Sequence, residues 1–218
     1  MPMIIGIDFD NTIVSYDELM YSIAANWGLP LAGVSKTKKQ IRDSIRGLTD
    51  GEIVWQRLQA AAYGTGMGQA MPAEGVEAFF KACKDRCVPV RIVSHKTVYS
   101  NLGEEKVDLR EAAIAWLIDR GFVSNNGFGI ARSDVFFEAT RSEKIARIRQ
   151  LGITHFIDDL EETFLEPEFP DDVAKILYAP GKFAESPAML SAFSSWAQIK
   201  AHLAPSLDRA YQYQQTGP

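Results

Sequence analysis

Two aspartates, Asp8 and Asp10, stand where the first apolar run of the chain ends. The run contains Ile4, Ile5 and Ile7 and has the pattern of a buried strand. Aspartate is a poor strand former and is almost never fully buried without a partner. Two like charges this close repel each other unless a cation or a proton lies between them. The pair therefore predicts a site for a hard, oxygen-preferring metal ion and a carboxylate that is held ready to react.

Polar side chains also follow two later predicted strands. They are Ser94, His95 and Lys96 after residues 88–93, and Asp158 and Asp159 after residues 154–157. Ligands of open α/β sheets bind beyond the carboxyl ends of the strands, so we expect these side chains to meet Asp8, Asp10 and Thr12.

A lysine joins this set from a predicted helix. Thr140 and Glu143 have the spacing of a capping box, which places Lys144 in the first turn, where the helix adds partial positive charge. Carboxylates for a divalent ion, a hydroxyl for a phosphate oxygen and a lysine to neutralise charge are the groups that phosphoryl transfer requires.

The elements that position these residues alternate between strand and helix, which predicts a parallel sheet with helices on both faces. Residues 16–70 show helical patterns and no strand pattern. We therefore predict an α/β fold with a Rossmann-like sheet, formed by residues 1–15 and 71–218, and a small all-helical insert after the first strand, formed by residues 16–70. Local patterns predict Ser35 as a possible cap of the second helix, a capping box over residues 49–52, a last helix over residues 191–203 and a loosely packed tail from Tyr211.

The composition excludes several classes of partner. The 218 residues are 46% hydrophobic and carry a net charge of −5, so no basic field exists to attract nucleic acid or an anionic membrane. No apolar run is long enough to span a membrane, and the chain enters its first strand without a signal-peptide pattern. We expect a cytoplasmic protein in which Cys83 and Cys87 form no disulfide and Cys83 packs in the core.

Four motifs, in order, resemble those of the haloacid dehalogenase-like superfamily of hydrolases, specifically its helical-cap phosphatases. They are Asp8-Phe9-Asp10-Asn11-Thr12, Ser94 at the end of a hydrophobic strand, Lys144, and Ile157-Asp158-Asp159. The resemblance spans residue 1 to about residue 180, with the insert matching only in position and type. It implies that residues 16–70 form a cap that excludes water from the site and selects the substrate.

The resemblance also implies a role for each site residue. Asp8 would be the nucleophile that forms an aspartyl-phosphate, and Asp10 would protonate the leaving alcohol and then activate water. The remaining roles are Lys144 as the active-site lysine with Lys96 as its rival, Thr12, Ser94 and His95 as phosphate ligands, and Asp8, Asp158, Asp159 and the backbone carbonyl of Asp10 as ligands of Mg²⁺. Which of Asp158 and Asp159 is the principal metal ligand stays open.

Superfamily members with an acid at the position of Asp10 are phosphatases or phosphotransferases, whereas the true dehalogenases lack it. The resemblance thus implies a Mg²⁺-dependent phosphatase, monomeric or homodimeric, acting on a small phosphorylated metabolite such as a sugar phosphate or a nucleoside monophosphate. The alternatives are a phosphomutase or phosphotransferase with the same nucleophile and a non-catalytic phospho-accepting or binding module. Two positions depart from the common pattern: Asn11 stands where many relatives have glycine, and Thr163 where many have a further acid.

Overall fold

The computed structural model describes residues 2–100, 102, 106–181 and 190–216. The strands in this part of the chain are β1 (Ile5–Ile7), β2 (Val14–Ser15), β3 (Met71–Pro72), β4 (Val90–His95), β5 (Val135–Glu138), β6 (His155–Asp158), β7 (Ala174–Tyr178) and β8 (Ser191–Phe193). The α-helices are α1 (Asp17–Asn26), α2 (Lys38–Arg46), α3 (Gly51–Tyr63), α4 (Val76–Asp85), α5 (Leu109–Asp119), α6 (Arg141–Gln150), α7 (Glu161–Leu165) and α8 (Trp196–Thr216). None of the helices described is both long enough and apolar enough to cross a membrane.

The chain divides into two compact units. The first consists of Met1–Ile13, Pro72–Lys96 and Gly121–Pro218, and the second of Val14–Met71 and Thr97–Arg120. The predicted boundaries place residues 97–120 in the core domain, whereas the structure groups this segment with the insert. Helix α5 joins the second unit because its Trp116 is buried there and donates its indole N–H to the carbonyl of Ala70 at 2.9 Å.

The first unit contains a six-stranded sheet in the order β5-β4-β1-β6-β7-β8, and every neighbouring pair is parallel. The predicted Rossmann-like α/β fold is confirmed. The central strand β1 pairs Ile7 with Ile92 of β4 on one side and with Ile157 of β6 on the other. The carboxyl ends of these three strands therefore lie at one edge of the sheet, as the site prediction requires.

Helices cover both faces of this sheet. Successive strand residues point to opposite faces. Val93 and Phe156 pack with Ile148 of α6 in one hydrophobic cluster. Trp196 of α8 contacts the ring of Tyr178 with centroids 5.5 Å apart. The face of the sheet that carries Phe156 is thus the face covered by α6. On any one strand, residues two positions apart lie on the same face.

In the second unit, the insert over residues 16–70 forms the helices α1, α2 and α3, as predicted. Helix α5, later in the chain, belongs to the same unit. The buried Tyr16 packs edge-on against Tyr63 at 4.6 Å, and its hydroxyl contacts the sulfur of Met67 at 3.3 Å. These two tyrosines are therefore used in packing within the unit. β2 and β3 form a separate two-stranded sheet.

Two of the predicted helix starts differ from the structure. The side chain of Thr37, not Ser35, caps α2 by accepting from the backbone N–H of Gln40. Asp50 precedes α3 in a left-handed conformation with φ of 55° and makes no side-chain cap, so the predicted box over residues 49–52 does not form. The predicted capping box of α6 is confirmed, with Thr140 and Glu143 bonding each other's backbone N–H groups.

The prediction of a helix over residues 191–203 is wrong at its start. Ser191–Phe193 form strand β8, which pairs in parallel with β7, because the sheet edge offers backbone partners that a local pattern does not reveal. Helix α8 begins at Trp196 and continues to Thr216. It includes most of the predicted loose tail, because the buried Leu203 and Leu207 anchor the helix.

Candidate active site

The candidate active site lies at the carboxyl ends of β1, β4 and β6 in the first unit. Asp8 follows β1, and its backbone N–H continues the ladder by donating to the carbonyl of Ile157 at 2.9 Å. Asp158 ends β6. Asp8 stands two residues after Gly6, and Asp158 stands two residues after Phe156. Strand alternation therefore directs both carboxylates to the α6 face.

Lys144 of α6 meets both carboxylates. Its ammonium lies 2.6 Å from Oδ1 of Asp8 and 2.6 Å from Oδ2 of Asp158, and 5.3 Å from the centre of the Phe156 ring. The side chains of all three ion-pair members are at most 7% exposed. Of the two rival lysines, Lys144 is therefore the one that contacts Asp8.

This burial controls the electrostatics of the pair. Loss of hydration, opposed by Lys144 and assisted by the charge of Asp158, raises the pKa of Asp8 to about 7. Burial alone would lower the pKa of Lys144, but the charges of Asp158 and Asp8 outweigh it and hold that pKa above its ordinary value. Lys144 is thus a permanent cation, whereas Asp8 is a carboxylate whose charge the folded protein tolerates poorly.

Three carboxylates form a candidate metal centre. Asp8, Asp158 and Asp159 each offer one oxygen, and these atoms lie within 4.8 Å of one another. Carboxylate oxygens are the ligands that hard cations such as Mg²⁺ prefer, so the donor set fits the predicted ion. Asp158 already accepts from Lys144 and, through its other oxygen, from the backbone N–H of Leu160 at 2.9 Å. The carboxylate of Asp10 lies outside this cluster, which leaves its backbone carbonyl as its predicted contribution.

Thr12 contacts the metal-centre carboxylates. Its buried hydroxyl donates to Oδ1 of Asp159 at 3.3 Å, and its carbonyl accepts the indole N–H of Trp196 at 3.1 Å. The hydroxyl that was predicted to bind phosphate is therefore directed at Asp159 in this structure, where it orients that carboxylate.

Asp10 has a lysine partner of its own. Both of its carboxylate oxygens lie within 2.9 Å of the ammonium of Lys96. Sequence reasoning placed Lys96 at this edge of the sheet and named it as a rival for the lysine beside Asp8, but it did not predict this pairing. A signal was present, because Lys96 stands two residues after Ser94 and alternation places the two on the same side of the strand.

Ser94 and His95 differ sharply in their surroundings. Ser94 is 1% exposed, and among the described residues its hydroxyl makes no hydrogen bond. Burying an unpaired hydroxyl is costly, which favours a ligand oxygen as its partner. His95 is exposed at the end of β4, and its ring makes no hydrogen bond within the described part of the chain. Of the two predicted phosphate ligands, Ser94 is thus buried without a hydrogen-bond partner among the described residues, and His95 is exposed.

Asn11, one of the two unusual positions, lies in the turn after β1. Asn11 has a φ of 60°, in the left-handed region that glycine adopts most easily and asparagine tolerates. Thr163, at the other unusual position, is buried in α7. It offers no carboxylate, so the acids of the candidate metal centre are those at the ends of β1 and β6.

No protein-family model matches the chain, and no curated protein matches it. Solved structures do match. A haloacid dehalogenase-like family hydrolase from Xanthomonas campestris is 13% identical with a TM-score of 0.54, over 97% of this chain and 98% of that one. A HAD family hydrolase from Deinococcus radiodurans R1, solved with bound phosphate and sodium, is 17% identical with a TM-score of 0.56, over 94% and 97% of the two chains.

A structure described as a dehalogenase with an intermediate complex also matches, at 12% identity and a TM-score of 0.55, over 93% of this chain and 97% of that chain. At such identities the likeness establishes the fold, and it does not decide between phosphate and carbon–halogen chemistry.

Proposed function

We propose that this chain, which has the fold of the haloacid dehalogenase-like hydrolases, is a Mg²⁺-dependent phosphatase that hydrolyses a small phosphomonoester through an aspartyl-phosphate. The observation that carries the proposal is the placement of two carboxylates with different partners, Asp8 on Lys144 and Asp10 on Lys96. The charge of Asp10 also contributes to the raised pKa of Asp8, so the two carboxylates act on one another. A nucleophile and a separate proton carrier are the two groups that such a hydrolysis needs.

In the first step, an oxygen of Asp8 attacks phosphorus and the bond to the leaving oxygen breaks. Asp10 gives its proton to that oxygen, so the alcohol leaves neutral. In the second step, Asp10 takes a proton from water, which attacks the phosphorus and frees Asp8. Lys144 offsets the charge of Asp8 and Asp158 throughout, and the Ser94 hydroxyl donates to a phosphoryl oxygen.

Mg²⁺ would be held by Asp8, Asp158 and Asp159, with the backbone carbonyl of Asp10 as a further ligand, and would neutralise charge on the phosphoryl oxygens. Thr12 holds Asp159 in place for this ligation.

The substrate class follows from the second unit and from the charge. A helical insert after β1 agrees with the resemblance to helical-cap phosphatases, which favours small substrates over polymers. The net charge of −5 gives no general attraction for nucleic acid. We therefore propose a sugar phosphate or a nucleoside monophosphate as the substrate.

The test is hydrolysis of 4-nitrophenyl phosphate and of a panel of phosphorylated metabolites with Mg²⁺. Asp8→Asn should abolish turnover, while Asp172→Asn, an equal change at an exposed site, should retain it. Turnover by Asp8→Asn at the wild-type rate would exclude Asp8 as the nucleophile.

Product analysis separates the alternatives. A phosphatase releases inorganic phosphate in proportion to the alcohol, whereas a phosphotransferase passes the phosphoryl group to a second hydroxyl and releases little. Halide release from a 2-haloacid, with no phosphate release from any ester, would replace the proposal by dehalogenation.

A further inference from the structure

The pairing of Lys96 with Asp10 is not explained by the roles assigned so far. The ammonium lies 2.9 Å from Oδ1 and 2.8 Å from Oδ2 of Asp10. The Lys96 side chain is 3% exposed and that of Asp10 19% exposed. A buried cation therefore holds both oxygens of a carboxylate that still reaches the solvent side of the site.

The position of Lys96 is set by the sheet. The backbone N–H of Lys96 donates to the carbonyl of Glu138 at 2.9 Å, which extends the β4–β5 ladder by one residue. The ammonium lies 5.4 Å from the centre of the Phe9 ring, and that ring packs edge-on against Phe137 at 5.7 Å. The sheet and an aromatic pair thus fix the cation.

Asp10 lies between β1 and the turn at residues 11–13, and its backbone forms a single β-bridge. Asn11, the next residue, is left-handed, and the backbone N–H of Ile13 donates back to the carbonyl of Phe9 at 3.0 Å to close the turn. The Asp10 side chain is 19% exposed, and the charge of Asp8 repels it. Both features favour rotation of this carboxylate into water. Charge-assisted bonds to a fixed cation oppose that rotation.

We propose that Lys96 is a positioning residue that holds the Asp10 carboxyl in the orientation from which it exchanges protons with the leaving group. The inference rests on the proposed function. It gives the two lysines different tasks: Lys144 pairs with Asp8 and Asp158, and Lys96 pairs with the proton carrier, Asp10. Direct contact of Lys96 with the phosphoryl group is the competing role, and it predicts a different dependence on the substrate.

The test uses this dependence. Cleavage of an alkyl phosphate requires that the leaving oxygen is protonated. Cleavage of 4-nitrophenyl phosphate depends much less on this proton, because 4-nitrophenol is far more acidic than an alkyl alcohol. Lys96→Met should lower kcat/KM for the alkyl ester by about 10²-fold or more, and for the aryl ester by less than about tenfold. Lys96→Arg, which keeps a cation, should recover part of the alkyl-ester loss, a result that a purely structural role does not predict.

A double-mutant cycle gives the second readout. If Lys96 acts through Asp10, then Lys96→Met added to Asp10→Asn causes no further loss of kcat/KM for the alkyl ester. Lys81→Met serves as the control, because Lys81 is an exposed lysine paired with Asp85 on α4. It should leave both rates unchanged.

The outcomes separate the two proposals. If the wild-type protein hydrolyses neither ester, the proposed function fails and the inference fails with it. If the wild type hydrolyses both, and Lys96→Met loses the same factor on the alkyl and aryl esters, only the inference is overturned. Additive losses in the double mutant overturn it as well.

Discussion

Two lysine–carboxylate regions share one edge of the sheet but are built differently. Lys144 comes from a helix that covers the sheet and neutralises two carboxylates, Asp8 and Asp158, that are almost fully buried. Lys96 comes from the end of a strand and holds one carboxylate, Asp10, that is 19% exposed. The first region therefore balances charge where water is excluded, and the second orients a charge that water reaches. Loss of either lysine should impair catalysis, but for different physical reasons.

The largest expected difference is in folding stability. Lys144→Met leaves two adjacent buried carboxylates without a cation, which should lower the free energy of unfolding by about 3–5 kcal/mol. Lys96→Met leaves one carboxylate that water can hydrate, so the free energy of unfolding should fall by only about 1 kcal/mol. Urea unfolding in the presence of a chelator measures both, with Lys81→Met as the control near zero. Equal losses at the two lysines would show that the regions do not differ in this way.

A smaller effect is expected from the strand that positions Asp8. A Cβ atom at Gly6 would lie 2.6 Å from side-chain atoms of both Ile153 and Phe156, so only glycine fits where β1 meets the α6-face core. Gly6→Ala should cost about 1–3 kcal/mol of unfolding free energy by overpacking. Because the strain falls on the face to which Asp8 points, kcat should also drop.

The control for this change is Gly68→Ala, at a glycine with ordinary φ and open space around its would-be Cβ. It should be close to neutral in urea unfolding. A neutral Gly6→Ala would mean that β1 and its neighbours relax easily, and that Asp8 is not fixed by close packing.

These regions also show what the sequence could and could not predict. Asp8, Ser94 and Asp158 were predicted to converge because each follows an apolar run, and parallel strands bring their carboxyl ends to one edge. The pairing of Lys96 with Asp10 was missed because it depends on how a turn after β1 folds beside β4. Alternation places Lys96 on the same side of β4 as Ser94, but it does not give the distance from Lys96 to Asp10.

The same reason explains where the fold departs from the sequence patterns. Ser191–Phe193 is too short to read as a strand, and it becomes one because β7 offers an edge. Helix α5 was predicted, but its membership in the second unit depends on where Trp116 is buried. Elements follow from local periodicity, whereas their partners follow from tertiary packing.

The two regions should also differ in metal dependence. Thr12→Val removes the hydroxyl that donates to Asp159 while keeping the shape of the side chain. Loss of an outer contact to a metal ligand typically costs 10–100-fold in affinity, and we expect about tenfold in the Mg²⁺ concentration for half-maximal activity. Lys96→Met should leave that concentration unchanged, because Lys96 holds the carboxylate of Asp10, and this carboxylate lies outside the cluster.

Titration of activity with Mg²⁺ at saturating substrate makes this measurement. A rise in KM for the phosphomonoester with unchanged Mg²⁺ dependence would instead return Thr12 to the phosphate-binding role that its motif predicted.

The smallest effect is expected at Asn11. It tests whether the turn after β1 positions Asp10 without affecting the position of Asp8. Asn11 has a φ of 60°, whereas Asp8 is held by its backbone bond to Ile157. Asn11→Gly should change the unfolding free energy by less than about 0.5 kcal/mol, because glycine adopts this conformation freely. Asn11→Ala should lose about 1 kcal/mol, the cost of a left-handed conformation for an ordinary side chain.

The kinetic consequence of Asn11→Ala sharpens the comparison further. If the turn aims Asp10 and leaves Asp8 in place, kcat/KM should fall more for an alkyl phosphate than for 4-nitrophenyl phosphate, the same pattern as Lys96→Met. Equal losses on the two esters would show that the turn also sets the nucleophile. The same turn would then position both Asp8 and Asp10, and the two lysine–carboxylate regions would not be independent.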